Sequence, residues 1–566
     1  MAQTEPTYNA SLTSEQPVLK NGWIFVILWA LTFIIYLPAA KAGWVIDAAG
    51  WLYNITHLKF WNYINNSQSG INSLYQFTQF TTYVFFRLFG ANPYAWHTLQ
   101  VTMHAINGYL FFLLCNRLFS DSGIKNGRNI ALCGVLLYTV CPHISEVIIW
   151  EAAYHYLQGF MLILAILLCV QKFQHTQQTK YAWLAGIVYL CSTYSLEIFY
   201  LTPWFVLSLA LYYRYAIGFD KSALKKTLFW FFAPQLILFG LHIAVLLLAY
   251  GHHFAHIAEN VVKPISVYLN RPPRYVFHIL LFGRFFSFEV RHKVYKLVSS
   301  TPGLVFFYTV FVLVCCYLIW RLRKMEIKGK AGLLLFVWVM MCMVILLPIE
   351  FPELLLVFYD RYTYFIDAFI FMLLALLASY IPNKAVRISL LVGYGLVNLY
   401  FTTLLNLQWK YATYVDNRLL HELPDAGNKT VILLNIPENM NGVPMIGAQP
   451  EGEYKTMHDL FVGTKIPNKI YDAQSFNMLT KDDGAHVTVI NDSVINVTLN
   501  QWGTWWWYEG HGGRSYENED YRLNLVDLGH WYELTLKHPA ANYMLLFQNG
   551  SMWRQVDMTK RNVDQY

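Results

Sequence analysis

The sequence predicts a polytopic α-helical membrane protein with a β-rich domain at its C-terminal end, and three observations predict it. Of its 566 residues, 56% are hydrophobic and 17% aromatic while only 13% are charged, a composition too apolar for a soluble chain of several domains. Apolar runs long enough to cross a hydrocarbon core of ~30 Å begin at Trp23–Ala40 and recur as far as Val392–Leu407, giving about eleven spans. Beyond residue 407 these runs stop, and short β-type segments punctuated by Gly, Pro and Asn take over.

Residues 1–22 form a polar tail, expected in the cytoplasm. Trp23–Ala40 has no small-residue cleavage pattern behind it and reads as the first span, not a signal peptide. An external loop rich in Trp, Tyr and Asn follows at 41–97, of a length that is usually functional. Spans at 98–118, 129–140 and 157–171 come next. The third and fourth are joined by CPHISEVIIWEAAYHY (141–156), which sets a proline, two carboxylates and two histidines between apolar runs. Spans five (181–194) and six (198–213) meet at TYSLEIFY, around Glu197. Span seven (228–250) leads to a second external segment, 251–302, and four more spans complete the membrane domain, 23–407. In the extracytoplasmic domain, 408–566, TVILLNI (430–436), HVTVI and VINVTL around an Asn-Asp turn (486–499) and YMLLF (543–547) read as strands. QWGTWWWYEGHGG (501–513) reads either as a sugar-stacking platform or, the commoner fate of such a cluster, as the aromatic core of a small β domain.

Charge orients the chain. Lys20, Arg117/Lys125/Arg128, Lys172/Lys180, Arg214 to Lys226, Arg321 to Lys330 and Lys384/Arg387 fall on one side if the spans alternate, and that side is expected to be cytoplasmic. Residues 406–566 then lie outside with 13 Lys+Arg against 19 Asp+Glu, leaving 28 against 15 in the membrane part. The net charge of +7 is therefore a topology signal and argues for no nucleic-acid partner. All eight cysteines lie between residues 115 and 342, so no disulfide framework is implied, and a cysteine-free external domain fits a bacterial inner-membrane protein facing the periplasm.

The same topology brings Asp47, Glu146, Glu151, Glu197 and Asp360-Arg361 to the outer membrane boundary. A carboxylate within hydrocarbon costs about a few kcal/mol, so such groups tend to have a partner or a role. Singly, Glu151 reads as a solvated helix end, Asp360-Arg361 as a structural pair or cap, and His97 and His104 as interhelical hydrogen-bonders on one face of span two. Jointly, acids delivered by four loops to one face point to an external cleft. The second external segment adds Lys263, Arg271, Arg274, Arg284, Arg291, Lys293 and Lys296 against a single acid, Glu289, on the side where cations are disfavoured. Such an excess invites either the phosphate of a lipid substrate or anionic headgroups. RPPR (271–274) is expected to hold part of this segment extended.

Across residues 20–405 these motifs resemble the GT-C superfamily of polyprenyl-phosphate-sugar-dependent glycosyltransferases, most of all the membrane half of the protein O-mannosyltransferases that carry tetratricopeptide repeats. That family has a carboxylate pair after its first span, where Asp47 stands here. A ladder of His, Asn, His and Asn on its second span is similar to His97, Gln100, His104 and Asn107, and its His-Pro-x-His-x-Glu-x-x-x-Trp is matched by Cys141-Pro142, Glu146 and Trp150. Ser195-Leu196-Glu197 matches a Ser-Lys-Glu, and Asp360-Arg361-Tyr362-Thr363-Tyr364 an acidic-Arg-Tyr-x-Tyr. The chain departs from the pattern at Ala48, Cys141, Ile144 and Leu196 and lacks the repeats.

The resemblance implies a GT-C-like fold and inverting transfer of a sugar from a polyprenyl-phosphate donor to a hydroxyl of a glycan, lipid-linked sugar or protein on the outer face. Asp47 would be the base, and Arg361, then Arg271 or Arg274, would hold the donor phosphate. Glu146, Glu197 and Asp360 would be associated with the acceptor or a cation, and His97, His104, Trp150, Tyr362 and Tyr364 would be supporting residues. A divalent cation, Mg²⁺ or Mn²⁺, is compatible with these acids, with no ligand set assigned. The expected partners are the lipid-linked donor, the acceptor and membrane lipids. Two other readings stay open: a transporter or flippase of lipid-linked glycans, and a non-catalytic membrane scaffold.

Overall fold

The computed structural model describes residues 21–40, 42–45, 48–65, 74–195, 197–251, 264–321, 326–347, 360–447, 453–500, 515–526 and 530–566. All eleven apolar segments are helical within it. Among the described residues, seven helices are long and apolar enough to cross a membrane. Two more qualify as bent pairs, Gly127–Thr139 with Pro142–Ile149 at 58° and Glu289–Val298 with Thr301–Tyr317 at 66°. The remaining two, Lys180–Ser192 and Thr202–Tyr212, have 13 and 11 residues and so reach only ~20 Å or less.

Pro93–Asp121 is the central helix, packed against Asn21–Tyr36, Gly127–Thr139 and Tyr154–Thr176, while Tyr364–Ala378 lies against Gly127–Thr139. That last contact depends on Gly134, where an added Cβ would stand 2.9 Å from Met372 Cα and 2.8 Å from its Sδ. Small residues allow such backbone approach in membrane bundles. Gly134→Ala is expected to cost about 1–3 kcal/mol through overpacking, seen as a lower thermal midpoint in detergent. Gly186→Ala, at a helical glycine with open space around it, should leave the midpoint unchanged or raise it.

The break at Cys141-Pro142 builds one wall of the site. Pro142 has no N–H to continue the preceding helix, and Cys141 is extended at φ −67°, ψ 129°. The chain then makes a 3₁₀ turn, Pro142–Ile144, and a short helix, Ser145–Ile149, before re-entering the bundle as Tyr154–Thr176. Contrary to the expectation from sequence, RPPR does not hold its segment extended. Pro272 and Pro273 lie inside the helix Ile265–Leu280. Tertiary contact overrides the proline preference here: the helix buries Arg271, Pro273, Tyr275, Phe277, His278 and Ile279, and Arg271 and Tyr275 hydrogen-bond to the Leu347 and Leu346 carbonyls.

The last helix, Lys384–His421, runs for 38 residues, about 57 Å, and so passes without a break through the boundary expected at 407/408. Its final turn carries the β-rich domain: Tyr454 Oη and Trp553 Nε1 both donate to the Leu419 carbonyl, at 2.6 and 2.8 Å. In that domain Thr430–Leu433 pairs in parallel with Tyr543–Asn549 and Ile470–Asp472. His486–Val489 and Val494–Thr498 form the expected antiparallel hairpin, inside a six-stranded sheet. TVILLNI splits, because Ile436–Met440 leaves for a third sheet with Ser475–Met478 and Val443–Pro444. The helix Glu453–Phe461 packs on Ala48–His57, in the loop after the first apolar helix, with Phe461 stacked on Trp44 at 6.1 Å. The aromatic cluster at 501–513 lies outside the described residues.

Candidate functional site

Asp360 is the hub. It opens the 3₁₀ turn Asp360–Thr363 that leads into the helix Tyr364–Ala378, a position where a carboxylate meets the positive end of a helix. Its Oδ1 lies 3.2 Å from His143 Nδ1 and 2.7 Å from His278 Nε2, and its Oδ2 accepts from the Arg284 guanidinium. His143 comes from the proline break, His278 from the RPPR helix and Arg284 from the following turn, Gly283–Phe285. All four side chains are buried. Phe282 turns the chain between the last two with a left-handed backbone, φ 54°, uncommon for a bulky residue, and its ring stacks on His143. Beneath this group, buried Asp367 takes Thr363 Oγ1 at 2.9 Å and Cys141 Sγ at 3.7 Å on its Oδ2, while its Oδ1 has no hydrogen-bond partner among the described residues.

Next to Asp360, Arg361 binds Glu146. The Arg361 backbone N–H donates to Glu146 Oε2 at 3.0 Å and the guanidinium pairs with Oε1. The guanidinium carbon stands 4.7 Å from the ring centres of both Trp150 and Tyr362, a cation–π sandwich. Trp150 is thus buried at 4% exposure under Arg361. The resemblance made Arg361 the first phosphate ligand; here its charge is neutralised by a carboxylate.

The ladder on Pro93–Asp121 runs inward from these pairs. His97 Nε2 meets Glu151 Oε1 at 3.1 Å, and both are buried, so Glu151 is a paired acid and not a solvated helix end. Gln100 donates to the Val147 and Trp150 carbonyls, bracing the short helix that carries Glu146. His104 Nδ1 lies 2.9 Å from Tyr364 Oη, and Asn107 donates to the same hydroxyl at 3.1 Å. Motifs at 97–107, 141–151 and 360–367 therefore form one buried polar network.

The expected base, Asp47, and the side chain of Glu197 lie outside the described residues. Arg271 donates to the Leu347 carbonyl. Arg274 donates to Ser299 Oγ at 3.0 Å and stacks over Tyr295, with no carboxylate among its partners in the described residues. It sits one helical turn before His278, on the same face. Sequence reasoning missed His143, His278 and Asp367 as site residues, and counted Arg284 only as one of seven cations. The legible signal for His143 was a histidine directly after a span-breaking proline, three residues before Glu146. His278 and Asp367 carry no such mark, since a lone histidine or acid in an apolar helix looks alike whether it serves a site or a neighbour.

No family model matches the chain, and no curated protein does. Among solved structures it is similar to an oligosaccharyltransferase from Archaeoglobus fulgidus in complex with Zn and sulfate, at 12% identity over 79% of this chain and 62% of that one, with a TM-score of 0.37. It is also similar to the oligosaccharyltransferase AglB from the same archaeon with an inhibitory peptide and a dolichol-phosphate (12% identity, 85% of this chain and 74% of that one, TM-score 0.40). A third is ArnT from Cupriavidus metallidurans bound to undecaprenyl phosphate (10% identity, 80% and 90%, TM-score 0.39). The chain spans less than two thirds of the first of these. These likenesses are distant, and the functional reading rests on the side chains themselves.

Proposed function

We propose that this integral membrane protein is a glycosyltransferase that moves a sugar from a polyprenyl-phosphate donor to an acceptor hydroxyl on the extracytoplasmic face, by a single inverting displacement. One observation carries the reading: acids and arginines from distant segments meet at one end of the bundle, Glu146 on Arg361 across 215 residues beside Asp360 on Arg284 across 76. Soluble surface pairs have no reason to be gathered and buried there. In this reaction the acceptor hydroxyl must lose a proton as it attacks the anomeric carbon, and a carboxylate takes it. Asp47 is the proposed base. Departure of the lipid phosphate leaves negative charge best met by fixed donors in a partly dry site. Arg274 is the proposed phosphate contact, since Arg361 and Arg284 are each neutralised by a carboxylate. Arg361 then positions Glu146, and the β-rich domain, seated on the first external loop, receives the acceptor.

The test is release of polyprenyl phosphate from a panel of polyprenyl-phosphate sugars by the purified protein in lipid. Asp47→Asn is expected to lower turnover by about 10²–10⁴-fold, with donor binding retained. Arg274→Gln should act chiefly on the donor KM. A scaffold has one observation in its favour, that Glu146, Glu151 and Asp360 all have partners already. Absence of release by folded wild-type protein with every donor would favour it, and glycan transport without bond cleavage would favour a flippase.

A further inference from the structure

The cluster around Asp360 is built for more than hydrogen bonding. His143, His278 and Asp360 each offer a ligand atom, and the three atoms lie within 4.8 Å of one another. They come from three separate segments, and all three side chains are buried. Closing a metal at ~2.0–2.2 Å from each atom asks only for small side-chain shifts from the 2.7 and 3.2 Å separations already present.

Charge points the same way. Asp360 and Asp367 are two buried carboxylates, joined through Thr363 Oγ1, which lies 2.9 Å from the Asp360 carbonyl and 2.9 Å from Asp367 Oδ2. Arg284 neutralises one of them, and Asp367 Oδ1 is buried with no hydrogen-bond partner among the described residues. An ionised Asp367 beside Asp360 would leave a negative charge that Arg284 alone does not offset, which is costly away from water. A divalent cation reverses that charge and leaves one positive unit, which a phosphodiester monoanion would balance.

We infer that His143, His278 and Asp360 form a divalent-metal site of the borderline class, Zn²⁺, Co²⁺ or Mn²⁺, with an open position for an anionic oxygen. Two imidazoles with one carboxylate suit these ions, whereas Mg²⁺ and Ca²⁺ take oxygen donors. The donor set thus separates the two cations that the sequence left open. The anion's identity as a lipid phosphate rests on the proposed function; the metal site does not.

The test is metal content and Co²⁺ absorption of the detergent-purified full chain after chelator stripping and reloading with Zn²⁺, Mn²⁺, Co²⁺ or Mg²⁺. Wild type should take up one Co²⁺ or Zn²⁺ per chain with a raised thermal midpoint, and Mg²⁺ should not compete. His278→Gln and Asp360→Asn should lose the bound ion and the shift, while His97→Gln, at the neighbouring pair, retains both. Each variant's midpoint in chelator shows whether it is folded. No bound ion in wild type, or equal binding by folded His278→Gln and Asp360→Asn, overturns the assignment. Stoichiometric metal without any tightening by added polyprenyl phosphate supports the site and sinks the lipid-phosphate reading, because linkage requires each ligand to strengthen the other.

Discussion

Replacing Asp360 with alanine is expected to destabilise the metal-free protein by about 3–5 kcal/mol or more, the usual loss when one partner of a buried ion pair is removed. Asp360 is fully buried and pairs with three groups at once: His143, His278 and Arg284. Its loss leaves a guanidinium in the interior without a counter-charge. Asp360→Asn should fall between, because the amide oxygen still accepts from an imidazole while the charge opposing Arg284 is gone. The measurement is the thermal midpoint in detergent with chelator present, read for Asp360→Ala, Asp360→Asn, Arg284→Met and the pair Asp360→Asn/Arg284→Met. The double variant should recover part of the loss, since removing both charges avoids the orphaned one. If all four variants unfold at the wild-type midpoint, the cluster carries no stability and the hub assigned to Asp360 is wrong.

How much of this was legible in the sequence depends on the range of the interaction concerned. Hydropathy reports burial in lipid residue by residue, so all eleven helical segments could be read from Trp23 to Leu407. Strand composition on both sides of an Asn-Asp turn likewise marks the 486–499 hairpin. The RPPR helix was misread because proline rules describe an isolated backbone. The hydrogen bonds from Arg271 and Tyr275 to carbonyls at 347 and 346 are long-range facts, and they outweigh the local penalty. The site shows the same division. Glu146, Asp360, Arg361 and the ladder residues stood out because charge and amides are anomalous in apolar helices. Their pairing, Glu146 with Arg361 and Asp360 with His143, His278 and Arg284, depends on contacts 76 to 217 residues apart that no window on the chain contains.

The Glu146–Arg361 pair gives the second large effect and decides what Arg361 does. Glu146 is 2% exposed and Arg361 14% in their side chains, and the guanidinium is held between Trp150 and Tyr362. Glu146→Gln and Arg361→Gln should each cost roughly 3–5 kcal/mol, because each takes a buried counter-charge away from the other. The double variant should cost less than the two losses together, with a coupling of about 0.5–3 kcal/mol. Donor kinetics separate the roles in a way stability cannot. If Arg361 gripped the phosphate, Arg361→Gln would raise the donor KM and adding Glu146→Gln would not repair it. As a strut for Glu146, Arg361→Gln should lower kcat with little change in donor KM, whereas Arg274→Gln does the reverse. Arg361→Lys sharpens the comparison: it keeps the charge but loses the planar fork that stacks between two rings. A lysine that restored full turnover would show that charge alone matters at 361, and a phosphate contact would then be the better account of that residue.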